Sequence, residues 1–260
     1  MSARAHSTDE ILRAAAEWTW LPRGAESRDD ELLLVRYPER FGGGVRGSQV
    51  RSALDAAEVV QHAIAQTRAW GESVLTFWSN PSDSPDLEAD LQRRGAEHVD
   101  TVAVFACPLA QVSTEVPDAV STERVETWEQ VREVDRINVS VWGQQPLDTH
   151  GLEEELAEVT ASSSTRTGAR VLARLEGSPV STGGFTLADG FARLWGAATL
   201  ETHRGRGAYR GVLAERVRLS REWGAVTVLV KGRISTSAPT IARAGFAHYG
   251  DERAYRLVVD

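Results

Sequence analysis

Cysteine is almost missing from this sequence. Cys107 is the only one among 260 residues, so no disulfide can form within the chain, and a thiol that ends an apolar run before Pro108 reads as structural. No apolar run reaches twenty residues, which excludes a conventional membrane-spanning helix. The first residues, among them Arg4, His6, Asp9 and Glu10, have no apolar segment behind them, so no signal peptide is expected and the cytoplasm is the expected compartment. No GxxxxGK[ST] pattern occurs, which excludes a Walker-type nucleotide loop. Positive charge is in deficit too: 29 Lys and Arg face 37 Asp and Glu, a formal net charge of −8. That balance argues against nucleic acid as the main partner and makes a cationic substrate plausible.

What is present is a globular composition, 42% apolar and 25% charged, long enough for two ordinary domains. Its organising stretch is Arg204-Gly205-Arg206-Gly207-Ala208-Tyr209-Arg210-Gly211. Before it lies an apolar run, Leu194 to Leu200; after it comes a helical pattern from Val212 to Trp223. Strand, glycine loop and helix in that order place backbone N–H groups close to a ligand, because glycine has no Cβ in the way. They also stand at a helix N-terminus, where the first turn lacks internal acceptors and the dipole favours an anion. The loop is suited to phosphate. A dinucleotide-binding GxGxxG is nearly met by Gly205, Gly207 and Gly211, but the last spacing is one residue too long, and the strand that follows, Ala225 to Lys231, carries no acid.

Upstream, Arg170 to Leu175, Val180 to Leu187 and Phe191 to Leu200 are apolar runs joined by Glu176-Gly177-Ser178-Pro179 and Ala188-Asp189-Gly190. Turn residues at that regularity predict an antiparallel meander. Here the sequence resembles the GCN5-related N-acetyltransferase (GNAT) superfamily. The family's acetyl-CoA motif, [Q/R]-x-x-G-x-[G/A], reads Arg204-Gly205-Arg206-Gly207-Ala208-Tyr209, with Tyr209 where Gly or Ala is usual. A later family motif resembles Thr236 to Phe246, a helix ending in Gly245-Phe246. The resemblance covers Val120 to Asp260 well and Glu31 to Leu109 faintly. It implies an α/β (α+β) fold, with a central mixed and mostly antiparallel sheet flanked by helices. It further implies that acetyl-CoA is the cofactor, with the backbone of Thr199 and Leu200 pairing with pantetheine and residues 204–209 receiving the pyrophosphate.

The N-terminal half repeats part of this order. Helices ending in Trp70-Gly71 and Trp223-Gly224 precede strands at Val74 to Trp78 and Val226 to Lys231, and helices ending in Gly95 and Gly245 follow. The reading is a tandem: a partial, degenerate GNAT-like copy over 1–112 and a full domain over 113–260, with the Ser, Thr, Val and Pro stretch Ala110 to Ser121 as linker. Gly42-Gly43-Gly44 would be the degraded glycine loop of the first copy, and a plain polyglycine turn is preferred there over a second cofactor site. Further expectations are a capping box at Thr127 and Gln130 with a helix to Asn138, a helix from Val50 to Trp70, a second helix over Leu152 to Thr160, and a closing hairpin over Phe246 to Tyr249 and Ala254 to Val259. Trp142, Asp148, His150 and Glu153-Glu154-Glu155 fall where the family shapes its acceptor site. For the glutamates a solvated helix face is preferred; for Trp142 core and pocket are equally open.

The function implied is transfer of an acetyl group to the amine of a small molecule, by a monomer or homodimer without a metal. Catalytic groups are not legible. A carboxylate is usual in the strand before the loop, yet Phe191 to Thr199 offers only Arg193 as an ionisable group; a tyrosine is usual four residues before Gly245, where Ile241 stands. Glu201 and Tyr249 are the weak candidates. Two alternatives stay open: a GNAT-fold acyl-CoA-binding protein without turnover, and an NADP-binding enzyme with Lys231 facing a 2′-phosphate.

Overall fold

The computed structural model describes residues 6–112, 115–161 and 167–259. Residues 113–114 of the expected linker Ala110 to Ser121 and the first five residues, including Arg4, lie outside the described residues. In chain order the elements are α1 (Thr8–Ala16), β1 (Glu26–Asp29), β2 (Leu33–Arg36), β3 (Val45–Ser48), α2 (Ala56–Ala69), β4 (Val74–Ser79), α3 (Pro85–Arg93) and β5 (Glu97–Pro108). Then follow β6 (Val120–Arg124), α4 (Trp128–Trp142), α5 (Thr149–Val159), β7 (Gly168–Leu175), β8 (Ser178–Ala188), β9 (Phe191–Thr199), α6 (Ala208–Glu222), β10 (Thr227–Arg233), α7 (Ala238–Arg243) and β11 (Ala247–Val258).

Local chemistry accounts for many of the boundaries. Thr127 and Gln130 cap α4 reciprocally, as expected, and the pairs Ser7/Glu10 and Asp55/Glu58 do the same for α1 and α2. The β7–β8 and β8–β9 connections have two consecutive positive φ angles, 51° and 82° at Glu176-Gly177 and 51° and 80° at Asp189-Gly190. Such two-residue turns twist with the strands they join and so fix the meander's register. Several helices differ from expectation at an end: α4 continues past Asn138 to Trp142, α5 and α6 start earlier, at Thr149 and Ala208, and α2 starts at Ala56, where Asp55 satisfies its first turn, rather than at Val50.

The chain forms two compact units. The N-terminal unit comprises Ser7–Phe105, Lys231–Arg243 and the chain from Ala247 onward; the C-terminal unit comprises Ala106–Val230 and Ala244–Phe246 with His6. These are not the contiguous segments 1–112 and 113–260. The physical reason is β11. Instead of a closing hairpin it is one long strand, antiparallel to β4 from Arg253↔Ser79 to Val258↔Val74, and its Tyr255 and Leu257 belong to the same buried core as Leu34, Phe77 and Leu91.

Within the N-terminal unit the strand order is β1-β2-β3-β4-β11-β5, and β3 and β4 run parallel through the crossover helix α2. Within the C-terminal unit the order is β6-β7-β8-β9-β10. There β6 to β9 are antiparallel, and β9 and β10 are parallel through α6. Alternation along the strands assigns the two faces. Leu172 of β7 and Ala198 of β9, which flank Thr182 of β8, pack with Val131, Val134 and Ile137 of α4, whereas Gly183, one residue beyond Thr182, faces Val212 and Arg216 of α6.

Candidate functional site

The site is built on β9. Its pairing with β10 lasts only from Phe191↔Thr227 to Leu194↔Val230. Beyond that point the register with β8 shifts between Thr182 and Gly184, and Gly196 takes φ 61°. A bulge of this kind bends a strand and ends its pairing, which leaves the far edge of residues 195–199 without β10. Trp195 stands at the bend. Its indole covers Gly184, donates from Nε1 to Thr186 Oγ1 at 2.9 Å, and is itself covered by the Arg170 guanidinium at 4.7 Å from the ring centre.

The last residues of β9 divide their polar groups by strand alternation. Leu200 N donates to Val180 O at 2.9 Å, toward β8, and its carbonyl accepts from His203 N at 2.9 Å. Both main-chain groups of Leu200 are therefore engaged within the protein. Thr199, one residue back, points its main-chain N–H the other way, to the open edge. Its side chain is held: Ser181 Oγ donates to Ala198 O at 2.9 Å, so the 2.8 Å contact between the two hydroxyls has Thr199 as donor.

A short turn, Glu201–His203, leads into the glycine loop. Gly205 and Gly207 have φ 75° and 89°, in the left-handed region, and Gly207 occupies the N-cap of α6 with no side-chain cap. The first backbone bond into this helix is Gly211 N to Gly207 O at 3.0 Å; the N–H groups from Gly205 to Arg210 meet no protein acceptor among the described residues. A Cβ at Gly205 would have open space around it, whereas one at Gly207 would come within 3.0 Å of Pro117 Cγ and one at Gly211 within 2.7 Å of Val120 Cγ1. Gly211 thus serves close packing of α6 on β6. Arg204 Nε reaches back to Thr199 O at 3.4 Å, Arg206 pairs loosely with exposed Glu176 at 3.3 Å, and Arg210 is exposed.

Tyr209, the residue that departs from the motif, has a buried cation beside it. Its ring lies 6.0 Å from Cζ of Arg216, a side chain 1% exposed. The Arg216 guanidinium donates from Nη1 to Gly184 O at 3.3 Å, and from Nε to Val212 O at 3.4 Å. It lies so close to β8 that a Cβ on Gly183 would sit 3.1 Å from Cζ. Burial pushes its pKa down and Tyr209 pushes it back up. Sequence reading missed this residue; the available signal was a charge on the apolar face of α6, one turn after Val212.

The remaining candidates are dispersed. Glu201 is exposed in the short turn, Tyr249 lies on β11 in the N-terminal unit, and Ile241 is buried in α7. Trp142 is 47% exposed at the end of α4, its ring 3.8 Å from where a Cβ of Gly196 would be, so it lies at the bent strand rather than in a core. Asp148 caps α5 through Gly151 N at 2.8 Å, and His150 and Glu154 are partners at 3.4 Å on that helix. Cys107 is buried, which raises its thiol pKa and fits a structural role. Lys231 pairs with buried Glu252 at 2.8 Å and donates to Trp18 O at 3.1 Å; it is not available to a nucleotide phosphate, and the dinucleotide alternative loses its recognition residue.

The N-terminal unit has a helix start in the same topological place, between parallel strands, but it is closed. The counterpart of the glycine loop is residues 49–55, not the triple glycine, which belongs to the β2–β3 connection. Asp55 accepts from Glu58 N at 2.9 Å and Glu58 from Asp55 N at 3.3 Å, so carboxylates stand where an anion would bind. Elsewhere in this unit is an acidic cluster. Asp83, facing Glu252 and Glu88, is raised to about 6 from 3.8, chiefly by burial and against the two hydrogen bonds from Asn80. A raised folded-state pKa means that the folded chain holds the proton longer. Its stability is therefore greatest below the unfolded value and falls as pH rises from about 4 to about 6, by roughly 2 to 3 kcal/mol. Asp83→Asn is expected to remove that slope and raise the melting temperature at pH 7.5 but not at pH 4, as thermal unfolding at the two pH values will measure.

Neither a family model nor a curated protein matches the sequence. Solved structures do match. A GCN5-related N-acetyltransferase from Kribbella flavida aligns with a TM-score of 0.69 at 20% identity, over 95% of this chain and 94% of its own. One from Sphaerobacter thermophilus gives 0.65 at 17%, over 97% and 86%. A tandem GNAT protein from the clavulanic acid biosynthesis pathway gives 0.64 at 15%, over 96% and 88%.

Proposed function

Because the chain has the GNAT fold, we propose that it is an acetyl-CoA-dependent N-acetyltransferase acting on a small-molecule amine, with its one cofactor site in the C-terminal unit. The observation that carries this reading is the contrast between two helix starts of the same topology: α6 opens on left-handed glycines with free N–H groups, and α2 is filled by Asp55 and Glu58. Pyrophosphate would lie on the N–H groups of residues 205–210, with Arg204 and Arg210 adding charge. The pantetheine arm would run along the open edge of β9 and meet the main chain of Thr199. There the neutral amine nitrogen forms a bond to the thioester carbonyl carbon, the C–S bond breaks, and the thiolate takes up the proton that the amine nitrogen sheds. The acceptor would come from the side of Trp142, whose exposed indole suits an apolar or cationic group. No helix among the described residues is long and apolar enough to cross a membrane.

A second reading, acyl-CoA binding without turnover, draws on specific residues: β9 carries no carboxylate, and Ile241 is buried where the family places a tyrosine. Yet a thiol of pKa about 8.5 leaves without much help, so a missing acid does not preclude transfer. Titration calorimetry with acetyl-CoA is expected to give one site per chain at micromolar strength. Two sites would refute the closed state of the N-terminal unit, and no binding would refute the whole reading. Thiol release with a panel of small amines then separates a transferase from a binder.

A further inference from the structure

A lone guanidinium buried between α6 and β8 has no partner of opposite charge among the described residues. Arg216 meets two backbone carbonyls and the ring and hydroxyl of Tyr209, and no carboxylate among the described residues. An arginine stays charged, and a buried charge without a counter-ion is strongly unfavourable. Its surroundings are nevertheless arranged to admit it. Gly183 leaves room that any Cβ would fill, Gly184 turns its carbonyl to Nη1, and Tyr209 replaces the small residue of the motif with a ring facing the cation. The direction of the side chain matters as well. From its place on the helix it runs back toward the N-terminus, past Val212 O to the level of Tyr209, as helical side chains do. At a rise of about 1.5 Å per residue, that puts the charge about 10 Å or less behind the uncapped first turn of α6.

Resting on the cofactor reading above, we propose that Arg216 is the buried counter-charge of the pyrophosphate, a positioning residue that strengthens phosphate binding at the α6 N-terminus without touching the ligand. Two positive sources then point the same way, the helix dipole and the guanidinium, through a medium that water does not screen. One unit charge at that distance and an effective dielectric near 20 changes affinity on the order of tenfold, and a doubly charged pyrophosphate more. Tyr209 would hold the guanidinium in place, which gives the departure from the motif a purpose. The same charge is a burden on the empty protein, since a neutral side chain of similar volume packs there without desolvation.

These two effects have opposite signs, and a test can read both. Arg216→Met and Arg216→Lys would be compared with the native chain by calorimetry, using CoA, inorganic pyrophosphate and pantetheine, and by thermal unfolding without ligand. The expected result is a loss of about tenfold or more in CoA and pyrophosphate affinity for Arg216→Met, with pantetheine unchanged and the unliganded melting temperature equal or higher. Arg216→Lys should restore phosphate affinity to within about threefold. If Arg216→Met binds CoA as the native chain does, or loses CoA and pantetheine alike, the proposal is overturned while the cofactor site stands. Should the Met variant fail to fold, a Lys variant that folds yet loses phosphate affinity as a neutral residue would overturns it equally. If the native chain binds neither CoA nor pyrophosphate, the site itself falls and the inference with it.

Discussion

Gly205→Glu is expected to abolish acetyl-CoA binding while leaving the protein folded. Gly205 has φ 75° and nothing within 4 Å of the position its Cβ would take, so the fold bears only the left-handed strain, about 1 to 2 kcal/mol. The carboxylate, however, would stand among the N–H groups proposed to receive pyrophosphate. Two like charges about 4 Å apart at a surface-like dielectric near 20 repel by about 4 kcal/mol, so a loss of a hundredfold or more in affinity follows. Gly207 is the poorer place for this test, because Pro117 stands 3.0 Å from its Cβ position and a substitution there would disturb the packing of α6 as well. Gly205→Asn is the control: asparagine tolerates the left-handed region and adds no charge. Calorimetry should find its affinity close to native, and a Glu variant that still binds normally would move the cofactor elsewhere.

The second large effect concerns the bend in β9. Adding one methyl at Gly184 would place it 2.4 to 2.7 Å from three carbons of the Trp195 indole. That ring cannot retreat easily, pinned as it is by Thr186 on one edge and Arg170 over its face. Gly184→Ala is thus expected to cost about 2 to 3 kcal/mol, in the range of overpacked cores, and to lower the melting temperature by several degrees. The pairing can be isolated. In the double variant with Trp195→Leu the clash is gone, so the two costs should fall well short of adding, and additivity in a double-mutant cycle would mean that the indole is not what Gly184 accommodates.

Much of the C-terminal unit was legible because its signals are local. The turns at Glu176-Gly177 and Asp189-Gly190 need positive φ, the loop at Gly205 and Gly207 needs it too, and the cap at Thr127 is written within four residues. What escaped depends on partners far away in sequence. The destination of β11 rests on Phe77 and Leu75, some 180 residues upstream, and two short apolar runs at the C-terminus read as readily as a hairpin as one strand. Gly42-Gly43-Gly44 attracted attention by composition, yet topology gives the equivalent position to Asp55, whose capping carboxylate closes it. Thr199 and Leu200 were read together, and in a strand one residue reverses the direction of every polar group, so only the structure tells which of the two main chains faces the open edge. Arg216 illustrates the hardest case: its place among the apolar positions of α6 hints that the head group turns inward, but the Gly184 carbonyl that receives it lies 32 residues away in sequence.

Lys231 has a bearing on any assay of this protein. It is the only lysine in the sequence, and it is engaged by Glu252 and by the Trp18 carbonyl and ring. Every other basic side chain apart from histidine is an arginine, whose guanidinium stays protonated and does not act as an acyl acceptor under ordinary conditions. The protein's surface is therefore nearly inert toward the donor it is proposed to use. Preparations can be held with acetyl-CoA at high concentration without accumulating lysine acetylation, so background thiol release should come from hydrolysis and from any free α-amino group, whose pKa is about 8. Immobilisation through lysine, by contrast, would find almost nothing to react with.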